Sequence, residues 1–374
     1  MVGAGPVGLV AALLLRRHGL AVDVVDRTPG PVGQSRATDL HAGTLEGLSP
    51  YGITADLLAI GTPVRSVVVW TDGRRRAAMP LGRPGSAFPF GLTVPQCTTE
   101  GLLQEHLIEH GPAVRRCVAL EQLSETPDGV RCVLRTDAGL EETTYDWVLG
   151  CDGAGSTVRA LGGFAWTGRR LPGTYAIADL QMDLPFPGDE VHLHLDAGGS
   201  VHVLPMPVPG YVRLLLDQWP GGPGEHPDAE IVAAEARRRL GCGGDVEHAR
   251  WTSTFAVHRR VADTFRRGRV LLAGDAAHVV SPVGGQGLNL GVGDVLALAP
   301  VLAGVQAGRV PDTALDVVLH RRRRRALRTG HLAAVATAVS GAQGTAARLR
   351  RHLAPLAGTR PARAVASSWL AGSW

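Results

Sequence analysis

The chain has 374 residues, 45% of them hydrophobic and 19% charged, enough to bury one or two full cores, which excludes a disordered or fibrous protein. Its net charge of +4 rests on arginine alone, since the sequence contains no lysine. That excludes a P-loop and a Schiff-base mechanism, and basic residues without interleaved aromatics argue against a nucleic-acid groove. The cysteines (Cys97, Cys117, Cys132, Cys151 and Cys242) are odd in number and form no C-x-x-C pair, so a disulfide framework and a zinc site are not expected and a reducing cytoplasm is. No run reaches the roughly 18 apolar residues of a membrane span, and no signal peptide is read at the start.

The first ten residues, MVGAGPVGLV, hold Gly3, Gly5 and Gly8 in G-x-G-x-x-G spacing. With 49 glycines in the chain this spacing alone decides little, so its context matters. The following LVAALLLRRHGL is apolar at helical spacing and closes on Gly19, and AVDVVDR alternates like a strand that ends on Asp26. Glycine turn, helix, strand and terminal acid in this order predict a dinucleotide site. Gly3 serves the tight turn, Gly5 the approach of the pyrophosphate, Gly8 the packing of helix on sheet, and Asp26 the ribose. Pro6, Val7 and Arg27 are counted with these as cofactor-binding residues, and Asp26 followed by Arg27 disfavours a 2′-phosphate. Only Met1 and Val2 precede the first glycine. A central strand so short is expected to leave sheet hydrogen bonds unmade, so the start is expected to be clipped or misassigned, with added upstream residues raising cofactor occupancy or stability.

Residues 63–95 and 165–261 are rich in strand signals and turns, as in EVHLHLDAGGSVHVLPMP and YVRLLLDQW. His192 and His194 share one face of a strand, with His202 across a turn. No acid or cysteine completes a metal site with them, and none is predicted. The stretch YDWVLGCDGAGSTVRALGG reads as a buried strand, a glycine turn and a helix start. GCGGD at 241–245 reads as a loop. In RVLLAGDAAHVVSPVGGQGLNLGVGDVLAL a strand ends at Gly274-Asp275, a loop carries Pro282, and Gly284-Gly285-Gln286-Gly287 opens a helix that Pro300 is expected to interrupt. The block HRRRRRALR at 320–328 is expected to be solvated or paired with acids. Trp369 and Trp374 in the tail are expected to pack on the protein.

Gly3-x-Gly5-x-x-Gly8, Cys151-Asp152-Gly153-x-Gly155-Ser156-x-x-Arg159 and Gly274-Asp275-Ala276-Ala277-His278 with Pro282-x-Gly284-Gly285-Gln286-Gly287-x-Asn289 together resemble the group A FAD-dependent aromatic hydroxylases. Within that group the sequence is most similar to the aromatic polyketide hydroxylases of antibiotic pathways. The resemblance implies an α/β fold: a Rossmann-like FAD-binding domain (1–62, 96–164 and 262–374, with C-terminal helices) and an inserted strand-rich substrate domain (63–95 and 165–261). It implies FAD held by Asp26, Arg36, Gln96, Val118, Asp152, Gly153 and Asp275. It also implies that Gly287, Leu288 and Asn289 present backbone N–H groups to the isoalloxazine ring, where a helix N-terminus would stabilise the reduced anion. Gly43 departs from the arginine that many relatives carry there. The 374 residues leave no room for the thioredoxin-like third domain of larger relatives, and the missing lysine disfavours a flavin-dependent halogenase.

The implied activity consumes NADPH or NADH and O2 and hydroxylates an aromatic, polyketide-derived substrate through a flavin C4a-hydroperoxide, in a monomer or homodimer with no nucleic-acid or membrane partner. His192, His202, Arg213 and Trp219 are the candidate substrate contacts, with Gln218 nearby, and no general base is assigned because the cofactor carries the chemistry. A Baeyer–Villiger or epoxidising enzyme, a relative that keeps FAD for a non-redox cyclisation, and a non-catalytic partner stay open.

Overall fold

The computed structural model describes residues 1–31, 37–82, 85–343, 346–347, 359, 367–370 and 372. Among the described residues the principal helices follow in chain order: α1 (Pro6–Arg17), α2 (Ala42–Leu48), α3 (Ile53–Ile60), α4 (Gln96–Glu109), α5 (Thr157–Leu161), α6 (Ala229–Leu240), α7 (Gln286–Gln306) and α8 (Thr313–Ser340).

The nucleotide-type layer forms around the first two residues. Val270–Leu272 pairs in parallel with Val148–Gly150, Val2 bridges Gly150 and Val25 in parallel, and Val25 bridges Arg115. The expected loss of sheet hydrogen bonds at Met1-Val2 does not occur. Val2 N donates to the Leu149 carbonyl, Val25 N to that of Met1, Cys151 N to that of Val2 and Gly3 N to that of Val25, at 2.8 to 3.0 Å. A two-residue strand suffices here because both of its edges are paired. Against this layer α1 buries Leu9, Val10, Leu13 and Leu14, each at most 1% exposed, in one cluster with Leu290, Val295 and Leu298 of α7.

Helix α7 differs from the sequence expectation in two ways. It runs through Pro300 to Gln306, with the proline on the exposed side, where water can take up the carbonyl that loses its donor. By length and composition it could cross a membrane, although 67% of its apolar window is buried inside the protein. In the arginine block on α8 one residue is paired with an acid, as expected, and that pair is buried. Arg322 is buried, its Nε donating to Asp294 Oδ1 at 2.9 Å and its Nη2 to the Leu290 carbonyl at 3.0 Å, so it clamps α8 to α7.

An eight-stranded sheet stands apart from this layer, in the order His278–Val279, Val246–Ala262, Trp166–Met182, Tyr211–Leu216, Gly199–Pro205, Glu190–Asp196, Ser66–Thr71, Arg74–Pro80. Through its central strands the side chains alternate between two faces, with bulges near Asp179 and Val69. Ala176, Ala178, Val201, Val203, Leu214 and Leu216 pack on one face against Val232, Ala233 and Ala236 of α6. Their neighbours in sequence, Ile177, Leu204 and Leu215 among them, face a cavity. Helix α6 is capped by Asp228, which accepts from Glu230 N and Ile231 N, and it ends on left-handed Gly241, so 241–245 is a loop as the sequence suggests.

Candidate functional site

One cavity of about 1170 Å³ runs from the first glycine turn to the apolar face of the large sheet. Its nucleotide end is built by steric exclusion. Gly3 holds φ +99°, and a Cβ there would lie 2.5 Å from the Cys151 carbonyl oxygen. A Cβ at Gly8 would lie 2.0 Å from the Gly3 carbonyl oxygen, whereas at Gly5 it would meet nothing within 4 Å. Gly5 is the N-cap of α1, Pro6 follows inside the helix, and no side chain caps the end. The bare amides and the positive end of the helix macrodipole therefore face the cavity.

Asp26 does more than line it. Its Oδ2 accepts from Ala4 N at 2.7 Å, and its Oδ1 accepts from Thr28 N at 2.8 Å and Thr28 Oγ1 at 2.7 Å, so the carboxylate also braces the glycine turn. Arg27, Val7 and Val118 line the same end. So does Arg116, 3.8 Å from Asp26, which sequence reasoning missed because nothing in its local pattern sets it apart. Gln96, the first residue of α4, accepts from Ala37 N at 3.3 Å and donates to Glu100 at 2.8 Å, and burial holds the Glu100 carboxyl above its usual range. Asp152 lines the wall, but its carboxylate is engaged by Ser156 Oγ, Thr157 N and Val158 N at the start of α5, next to left-handed Gly153. Arg159 donates to the Ala276 and Ala154 carbonyls, joining this turn to the Gly274-Asp275 turn.

The third motif closes the middle of the cavity. Asp275, Pro282, Gly285, Gly287 and Leu288 line it. Gly284 and Gly285 are left-handed, and a Cβ at Gly287 would meet nothing within 4 Å. Gly274 and Asn289 do not line the cavity and instead hold its wall in place. Gly274 N donates to Asp294 Oδ2. Asn289, fully buried, accepts from His41 N and Thr44 Oγ1 and donates to the Asp39 and Gly285 carbonyls, each at 2.7 or 2.8 Å. Gly291 is a further residue the sequence reading passed over: a Cβ there would lie 2.6 Å from Val7 and 3.0 Å from the Gly274 Cα, so only glycine lets α7 approach both turns. Arg36 and Trp374 lie outside the described residues.

The substrate-side prediction needs correction. His202 and Arg213 line the cavity, but His192 and Trp219 do not. His192 shares a face with His194, as expected, yet the cavity takes their alternate neighbours Val191, Leu193 and Leu195. His192 stacks on Phe186 and accepts from Trp70 Nε1 at 3.0 Å, while His194 stacks on Trp70. His202 pairs across the hairpin with Leu193, which puts it on the opposite face from the other two. Trp219 packs with the α6 cluster, and Gln218 donates to the Gly341 carbonyl. Arg213 is held by Asp179 through two hydrogen bonds of 2.7 Å, and Trp251 Nε1 donates to the same carboxylate at 2.9 Å. Across the cavity burial raises the pKa of Asp39 and lowers that of His41 to about 4; burial also lowers that of His202 to about 4. Among the described residues no group of three His, Cys, Asp or Glu side chains could hold a metal ion.

A bare-backbone cradle at a helix N-terminus, an acid bracing its turn and a second glycine cradle at Gly287 fit FAD laid along this cavity. The model of the FAD binding domain family matches residues 1–332. The chain belongs to that family. Among its relatives, 6-methylpretetramide 4-monooxygenase of Streptomyces rimosus is 37% identical over 324 residues, 86% of this chain and 58% of the relative. The chain thus spans less than two thirds of that relative's length. Dialkyldecalin synthase of Streptomyces rugosporus is 30% identical over 95% of this chain and 76% of its own. The crystal structure of p-nitrophenol 4-monooxygenase from Pseudomonas putida DLL-E4 superposes with a TM-score of 0.89 at 25% identity, over 100% of this chain and 98% of that one.

Proposed function

We propose that the chain is an FAD-dependent, NAD(P)H-consuming monooxygenase that hydroxylates a polycyclic aromatic substrate of polyketide type. The observation that carries this reading is the single cavity. At about 1170 Å³ it exceeds the roughly 300–1,000 Å³ of a pocket for one drug-sized ligand, and it joins a dinucleotide cradle to an apolar sheet face. In this reading residues 1–62, 96–164 and 262–374 hold the cofactor and 63–95 and 165–261 roof the ring.

When bound, the flavin supplies two-electron reduction by NAD(P)H and transfer of one oxygen atom of O2 to the ring. The chain's own residues do the rest. The first-turn amides of α1 bind the pyrophosphate, with Asp26 on the ribose and Asp275 on the ribityl region. The N-terminus of α7 at Gly287, Leu288 and Asn289 favours negative charge on the ring beside it. Val67, Val69, Met79, Leu193 and Leu195 exclude water from the reacting face, and Arg213 and His202 offer the polar contacts that orient a phenolic or quinone oxygen.

Anaerobic mixing of the FAD-loaded protein with NADPH or NADH, with and without polyketide aromatics, tests the reading: flavin bleaching accelerated by an aromatic supports it. Conversion of an added substrate while the flavin is never reduced would replace it with the non-redox reading, which the similarity to dialkyldecalin synthase keeps in view.

A further inference from the structure

After α8 the chain returns to the cavity. Residues 367–370 form a helical turn, and Trp369 and Leu370 line the cavity wall. Both lie beyond residue 332, where the match to the family model ends.

Two contacts fix the turn. The buried Gln286 side chain donates from Nε2 to the Trp369 carbonyl at 2.9 Å and to the Gly284 carbonyl at 3.3 Å. The indole rests on Gly284, where a Cβ would lie 2.4 Å from Trp369 Cη2, so the left-handed glycine that precedes α7 is also the seat of the tryptophan. On the other side Leu370, 6% exposed, clusters with Val64 and Leu81, joined by Met79 and Val191 from the cavity face of the large sheet. The turn therefore bridges the two walls between which the aromatic substrate is placed above: the glycine loop at the head of α7 and the sheet.

We propose that Trp369 and Leu370 are specificity-determining residues, the end wall of the substrate compartment, which supplies apolar contact to the distal rings of a planar polycyclic substrate and limits its length. This inference rests on the function proposed above for the same cavity.

The test uses the full chain loaded with FAD, as wild type, Trp369→Ala, Trp369→Phe and Leu370→Ala, with Trp70→Phe on the far face of the sheet as control. Two probes, 1,8-dihydroxyanthraquinone and phenol, are titrated against the absorption spectrum of the bound flavin, and iodide quenching of flavin fluorescence reports access to the cavity. Trp369→Ala is expected to weaken anthraquinone binding about tenfold, phenol binding less than twofold and FAD binding less than twofold. It should raise the quenching constant about threefold, with Trp369→Phe lying between and Trp70→Phe unchanged. Should Trp369→Ala fail to fold, Leu370→Ala and Trp369→Phe carry the same readouts. Anthraquinone binding and quenching both at wild-type values in FAD-loaded variants would overturn the proposal. Quenching that rises in a protein binding neither probe would leave the wall standing and remove the aromatic-substrate reading instead.

Discussion

Gly5 and Gly8 sit three residues apart in the same turn, and the structure separates what each is for. At Gly5 the backbone is extended (φ −73°, ψ −179°), a conformation open to any residue, and a Cβ would meet nothing within 4 Å. Gly5→Ala should leave the apoprotein as stable as wild type, or more so by about 0.4–1 kcal/mol through a less free unfolded chain. That Cβ points into the space where a pyrophosphate would approach the α1 amides. Loss of one charge-assisted hydrogen bond, about 1.5–3 kcal/mol, lowers FAD affinity roughly ten- to a hundredfold. At Gly8 a Cβ would lie 2.0 Å from the Gly3 carbonyl oxygen and 3.3 Å from Cys151 Cβ. Reaching even a tight 3.0 Å contact needs α1 to move by about 1 Å, so Gly8→Ala should destabilise the apoprotein by about 1–3 kcal/mol despite its better helix propensity. Urea unfolding of both apoproteins and titration of each with FAD followed by flavin fluorescence measure the two effects. Gly5→Ala binding FAD as tightly as wild type would refute the assignment of this turn to the pyrophosphate.

Asp294 is buried, and although burial works to raise its pKa, His278 and Arg322 hold the carboxyl below its usual range. Its contribution to stability is therefore present above about pH 4 and lost as the pH falls through the lowered value; Asp294→Ala should cost about 3–5 kcal/mol at pH 7 in urea unfolding, by removing the carboxylate that His278 and Arg322 share. Asp179→Ala removes the carboxylate that Arg213 and Trp251 Nε1 both donate to and should cost about 2–4 kcal/mol, read by the same assay. His202, held near 4 by burial, runs with the same sign in a higher pH window: the folded protein keeps this imidazole neutral, so it loses stability against the unfolded chain as the pH falls from about 6.5 towards 4, by about 2 kcal/mol at pH 5. His202→Gln should flatten the stability profile over that window and leave the plateau above pH 7 where it was.

The cofactor end was legible in the sequence because glycines there are dictated by contact distance. Gly3 and Gly8 each answer a backbone atom under 3 Å away, and Asp26 ends the segment that Val25 pairs to the first turn. The substrate end was less so. His192, His194 and His202 look equivalent in a row of letters, and only the pairing of His202 with Leu193 decides which of them faces the cavity. Arg322 is one of five consecutive arginines, and its burial follows from the place of Asp294 on the neighbouring helix, a fact of tertiary packing. Pro300 has a helix-breaker's chemistry but lies on the exposed side of a helix whose other faces are held by α1 and α8, so packing outweighs propensity there. Trp369 reaches the cavity through a turn with no periodic pattern to announce it.

In the proposed function one cavity holds FAD and an aromatic substrate for oxygen transfer. The measurement that bears on it most directly is the mass of the product formed under 18O2 by the FAD-loaded protein with NADPH and an aromatic polyketide. A monooxygenase should place one 18O atom in the product and oxidise one NADPH per product. A product free of 18O, formed while the flavin stays oxidised, would contradict it.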